Sequence, residues 1–111
     1  MIKTKKWGSS DMVKHIILWT LKAELSEEEK AAAKAAFKEG LEGLAGKIEG
    51  LEEIHVYTEG FSSSNTDVML ESVHTGRDAL NLYANHPLHV AVKDNVIVPK
   101  VSGRYAFDFE F

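Results

Sequence analysis

From Met12 onward the apolar and polar positions fall into blocks whose period changes from two to nearly four and back. The first block, Val13–Leu21, is rich in β-branched and aromatic residues and reads as a strand. Its odd positions, Val13, His15, Ile17, Trp19 and Leu21, make one face apolar with a histidine set among them. The even positions, Lys14, Ile16, Leu18, Thr20 and Lys22, are apolar in the middle and charged at both ends, so both faces need cover at the centre. Ser26-Glu27-Glu28-Glu29 is a capping box that opens a helix, with the acids placed where the helix dipole favours them. Ala33, Phe37, Leu41, Leu44 and Ile48 form its buried stripe. Lys30, Lys34, Lys38, Glu39 and Glu42 take the opposite, solvated face, and the helix ends among Gly43, Gly46 and Gly50.

Strands are expected over residues 51–59, where Ile54, Val56 and Thr58 alternate with His55, Tyr57 and Glu59, and over residues 67–74. Thr75-Gly76-Arg77-Asp78 repeats the capping pattern and starts a short helix through Ala79, Leu80, Leu82 and Tyr83. Pro87 suits the first position of another helix, which carries Val90, Val92, Val96 and Ile97 and frays toward Pro99. Residues 104–111 form the cleanest strand, with Tyr105, Phe107, Phe109 and Phe111 on one face and Arg104, Ala106, Asp108 and Glu110 on the other. The aromatic row is expected to be core or the wall of an apolar cavity. The order β-α-β-β-α-β is the ferredoxin-like, α+β arrangement: a four-stranded antiparallel sheet with helices on one face. Ile16 and Leu18 would then lie on the bare face, which predicts a homodimer paired sheet to sheet as a closed α+β barrel.

At 111 residues the chain makes a single domain, assigned here to residues 12–111. Residues 1–11 read as a disordered or expression-derived tail, since the cluster Lys3, Lys5 and Lys6 is followed by Trp7-Gly8-Ser9-Ser10 and no apolar run. Without cysteine there are neither disulfides nor thiolate metal sites, which suits the cytoplasm. With 13 basic against 17 acidic residues the net charge is −4, which argues against a nucleic-acid partner. The apolar runs are too short to span a membrane. The loop Ser62-Ser63-Ser64-Asn65 lacks a phosphate-cradling glycine pattern.

Two pieces, Val13-Lys14-His15 opening the first strand and Tyr83-Ala84-Asn85-His86-Pro87-Leu88-His89 near the last helix, resemble the stress-responsive dimeric α/β-barrel (Dabb) family over residues 12–111. The resemblance implies a ferredoxin-like dimer with helices outside a barrel. More distantly the chain is similar to the olivetolic acid cyclase branch, in which residues matching His15, His89 and Tyr83 line a cavity between sheet and helices and the second histidine of H-P-x-H is the proposed base. Trp19, His86 and Phe37 are the expected binding positions beside them. Phe37 stands where that branch has a tyrosine, so one substrate-orienting phenol is missing here.

Read by themselves, His89 falls in the first turn of its helix, where the dipole disfavours imidazolium, and His15 sits in an apolar row. Two neutral imidazoles beside a tyrosine could move a proton next to a carbonyl. Either histidine could equally be a cap or a satisfied core group, and His86, just before Pro87, suits capping of the first-turn amides. The pair His86 and His89 has metal-ligand spacing, but no acid or histidine pair follows nearby, and His55 and His74 would join only in a particular fold geometry. Two readings therefore stand. One is a cofactor-free cyclase, lyase or isomerase acting on a small apolar or aromatic ligand; the other is a non-catalytic stress-related homodimer that sequesters a ligand.

Overall fold

A computed structural model of the chain describes residues 11–111; apart from Asp11, the tail expected at residues 1–11 lies outside the described residues. The elements are β1 (Val13–Leu21), α1 (Glu27–Glu42), β2 (Leu51–Tyr57), β3 (Val68–His74), α2 (Arg77–Asn85), α3 (Pro87–Val92) and β4 (Val101–Glu110). They form one antiparallel sheet in the order β2-β3-β1-β4, as a ferredoxin-like connection requires. A π-helical turn, Lys93–Ile97, and a 3₁₀ turn, Val98–Lys100, follow α3. The β-branched stretch before Pro99 thus loses α geometry without leaving the helical region.

The capping box at Ser26 forms in both directions: its hydroxyl accepts from the Glu29 amide at 3.1 Å, and the Glu29 carboxylate accepts from the Ser26 amide at 2.8 Å. The expected cap at Thr75 does not form; Gly76 precedes α2 with no side-chain bond to its first turn. What fixes α2 instead is its close approach to the turn before β2. Gly50 has φ +86°, its carbonyl accepts from the Thr75 amide at 2.9 Å, and a Cβ there would stand 2.6 Å from Ala79 Cβ. Only glycine meets both conditions.

The core lies between α1 and the helix-facing side of the sheet. Phe37 and Leu41 are fully buried, Leu44 and Ile48 continue the stripe beyond the end of α1, and Ile17, Trp19, Ile54, Val56, Val68 and Leu70 meet them from the strands. Lys38 and Glu42, expected to be solvated, have a structural task. Glu42 Oε2 accepts from the Val56 amide at 2.9 Å, Lys38 Nζ donates to the Val56 carbonyl at 2.9 Å, and the two side chains pair at 2.9 Å. They satisfy backbone groups on the outer edge of β2, where an unpaired strand would otherwise invite another.

The aromatic row of β4 is not core. Tyr105, Phe107 and Phe109 are 57%, 68% and 39% exposed, and Phe111 beyond the strand is also exposed. In register they stand beside Leu18, Ile16 and Lys14 of β1, with Met69 and Tyr57 continuing the Leu18 row across β3 and β2. Alternation separates the two faces of a strand but does not say which one the helices cover. Here the face of Ala106, Asp108 and Arg104 is the one on the helix side of the sheet, and all three residues stay exposed at this edge strand.

Replacing Glu42 with alanine is expected to leave the Val56 amide without its acceptor and to lower stability by about 1–3 kcal/mol, measured by urea unfolding. An unchanged midpoint would show that the edge of β2 does not depend on this carboxylate.

Candidate active site

Between the helix-facing side of the sheet and the α2–α3 layer lies a cavity of about 570 Å³. Ile17, Trp19, Leu41, Leu70 and Ile97 give it an apolar wall, and His15, Tyr83, His89, Arg104 and Asp108 bring polar groups to it. Strand register supplies much of this arrangement. In the β1–β4 ladder His15 stands opposite Asp108 and Trp19 opposite Arg104, so the four side chains share one face. The ring of Tyr83, delivered by α2, lies 4.3 Å from that of His89, 4.9 Å from His74 and 6.1 Å from His15.

Hydrogen bonds set the two cavity imidazoles in matching tautomers. His15 Nδ1 donates to Asp108 Oδ1 at 2.5 Å, since an ionised carboxylate only accepts. His89 Nδ1 donates to the Ala84 carbonyl at 3.1 Å. In each ring Nε2 is left without a bonded partner among the described residues. Burial pulls the pKa of His89 below the usual imidazole value; its bond to Ala84 opposes this, and Lys93, His15 and Arg104 add to it. The ring is therefore neutral at pH 7 and carries a free lone pair. Burial thus acts in the same direction as the helix-dipole effect expected from the sequence.

Tyr83 is buried, and burial pushes its phenol up, further from ionisation, with the Arg104 charge acting the other way. Its hydroxyl has no hydrogen-bond partner among the described residues. Beside it His74, wholly buried, shares a 2.9 Å bond between Nε2 and Ser72 Oγ, while its Nδ1 has none among the described residues. Burial holds His74 down at about 4, His15 and His89 adding to the effect and Asp108 opposing it.

The structure thus brings together His15, Tyr83, His89 and Trp19 and leaves two named positions outside. Phe37 packs against Trp19 with ring centroids 5.6 Å apart, behind the cavity wall, because its place on α1 faces the sheet centre. His86 caps α3, its Nδ1 accepting from the Leu88 amide at 3.1 Å, and borders a shallow surface hollow with Pro87 and Asn85. His55 and His74 fall on opposite faces of the sheet, and among the described residues no three His, Asp or Glu side chains gather as a metal group. Asp108, Arg104 and His74 were missed as site residues. The signal for the first two was present: with β4 beside β1, the polar face of β4 meets the His15 face.

The family described as the stress responsive A/B barrel domain matches residues 13–111. Among solved structures, a dimeric protein with a ferredoxin-like fold from Bacteroides fragilis is 33% identical, covering 90% of this chain and 96% of that one at a TM-score of 0.84. A dimeric ferredoxin-like protein from Thermobifida fusca is 22% identical, with 91% and 92% covered and a TM-score of 0.73. A hydroxynitrile lyase from Passiflora edulis has the same fold at 13% identity, with 91% and 94% covered and a TM-score of 0.69. No curated protein matches the chain.

The buried histidine makes stability depend on pH. His74 titrates near 6.5 when exposed and at about 4 in the fold, so between those values the unfolded chain binds the extra proton. Stability from this group is complete above pH 6.5 and falls as acid is added, by about 3 kcal/mol by pH 4. Glu42 and Glu71 titrate below 4.5 in the fold, so their loss begins in stronger acid. Urea unfolding at successive pH values should show the slope, and His74→Gln should flatten it; an equally steep slope in the variant would place the loss elsewhere.

Proposed function

Because the chain belongs to the stress responsive A/B barrel domain family, we propose that it is a homodimer whose cavity binds a small apolar or aromatic ligand and moves a proton on it. One observation carries the reading: three residues brought from separate elements, His15, Tyr83 and His89, converge on one largely apolar cavity. His89 Nε2 is the base, being neutral and fixed by Ala84. His15, oriented by Asp108, is the second proton-transfer group, and once its Nε2 has taken up a proton it can donate to an oxyanion, in the manner of a histidine held by a carboxylate. Tyr83, buried and un-ionised, orients the ligand by packing against the His89 ring at 4.3 Å. Proton transfer next to a carbonyl or an acidic C–H fits a lyase, isomerase or cyclase, and a hydroxynitrile lyase on the same fold supports that range by analogy alone.

The dimer rests on the open sheet face, where Ile16, Leu18, Tyr105, Phe107 and Phe109 form an apolar surface of a kind monomers seldom leave bare. The dimeric Bacteroides fragilis and Thermobifida fusca proteins support it. No helix among the described residues is long and apolar enough to cross a membrane. The reading places the protein in the cytoplasm, where a chain without cysteine needs no oxidising partner.

Native mass spectrometry against a panel of phenolic and polyketide-like compounds tests ligand binding, with turnover then followed on those that bind. His89→Ala is expected to stay folded and to lose about 10²–10⁴-fold in rate. A variant with undiminished turnover would remove His89 from the role, and binding without turnover in the wild type would favour sequestration. Sedimentation at micromolar concentration should give a dimer, and Leu18→Lys should yield monomer or fail to fold, because its charge would enter the sheet–sheet contact. A soluble dimeric Leu18→Lys protein would overturn the interface.

A further inference from the structure

We propose that the ligand of this cavity is a carboxylate with a small apolar or aromatic body, its anionic head held by Arg104; the proposal rests on the ligand-binding reading above and names the class of ligand. The charges on the cavity wall are nearly all answered within the protein. Asp108 is engaged by His15, Arg77 Nε pairs with Glu110 at 3.0 Å, and Lys93 stands 3.7 Å from Asp94. Asp78 lies in the first turn of α2, where the positive end of the helix meets it. Arg104 has no hydrogen bond or ion pair with any described residue, yet it lines the cavity.

Its position suits a particular shape of ligand. Arg104 stands opposite Trp19 in the β1–β4 ladder, so the guanidinium emerges beside the indole that begins the apolar wall. Its charge is felt by both Tyr83 and His89, which places a positive field over the polar end of the cavity. A neutral body filling this space would take water from the guanidinium and return nothing, which is costly. A carboxylate would meet the planar fork with two parallel hydrogen bonds while its apolar remainder lay along Trp19, Ile17 and Leu70. A volume of about 570 Å³ has room for such a molecule.

The test compares two probes that differ in charge, 3-phenylpropanoate and 3-phenylpropanamide, at about pH 8, where the acid is ionised. The chain has two tryptophans, so in a Trp7→Phe background Trp19 fluorescence reports occupancy of this cavity alone. The acid should bind about tenfold or more tightly than the amide. Arg104→Gln, at an exposed position, should abolish that preference by weakening the acid and relieving the amide of the cost of desolvating the guanidinium. Equal binding of acid and amide in the Arg104 protein would overturn the carboxylate assignment while leaving the ligand-binding cavity in place. An acid preference that survives Arg104→Gln would overturn the role of Arg104. Failure of both probes to move Trp19 fluorescence would overturn the proposal together with the ligand-binding reading beneath it.

Discussion

The register of β1 against β4 governs both surfaces that matter in this protein. On the helix side it sets His15 opposite Asp108 and Trp19 opposite Arg104; on the other it sets Ile16 beside Phe107 and Leu18 beside Tyr105. Side chains alternate with a period of two, so a slip of one residue would turn the aromatic row inward and carry the carboxylate and guanidinium out to the bare face. The bonded pair His15 and Asp108 is separated by 93 positions, which makes it one of the last contacts the chain can close. That register is held by the buried odd face of β1, since Val13, Ile17, Trp19 and Leu21 cannot face water without a large loss of apolar burial. The chemistry of the cavity is in this sense a by-product of how the central strand hides its hydrophobic side.

Much of this was readable in the sequence because each element carries its own signal. The capping box at Ser26, the stripe through Phe37 and Leu41, Pro87 at the start of α3 and the alternation in β1 are local, and all appear where the pattern puts them. What was not readable depends on how elements meet. The aromatic row of β4 alternates as cleanly as a buried one, and only the position of the helix layer decides that it stays exposed. Glu42 and Lys38 look like any solvated pair on a helix until the edge of β2 is laid beside them. His74 ends a strand like many surface histidines, and its burial follows from α2 being drawn in over it by the contact of Ala79 with Gly50.

The cavity region departs from the pattern of the rest of the core. Around Phe37 and Leu41 the interior is apolar, whereas Tyr83 and His74 each bury a polar atom with no partner among the described residues. An unsatisfied buried group costs about 1–3 kcal/mol, against a total stability of about 5–15 kcal/mol for a typical domain. A core built for stability alone would hold phenylalanine and leucine at those two places. Departures of this kind concentrate where a protein does something besides fold, and here both fall within one cluster of rings.

Within that cluster the division of labour follows from what holds each imidazole. Both rings give their Nδ1 proton to a fixed oxygen, so both offer Nε2, but the oxygens differ. His15 is tied to a carboxylate on the same sheet, a strong and charged bond that fixes its orientation. His89 is tied to a neutral carbonyl at the end of α2, with Lys93 and Arg104 close enough to disfavour a second positive charge. The helix-borne ring is thus the one that keeps its lone pair in a partly desolvated place, and a lone pair there is a better base than one in water only if the charge it acquires is compensated. A bound carboxylate at Arg104 would supply part of that compensation, offsetting one of the smaller influences that act with burial to keep His89 neutral. Ligand charge and base strength would then be linked through a single guanidinium.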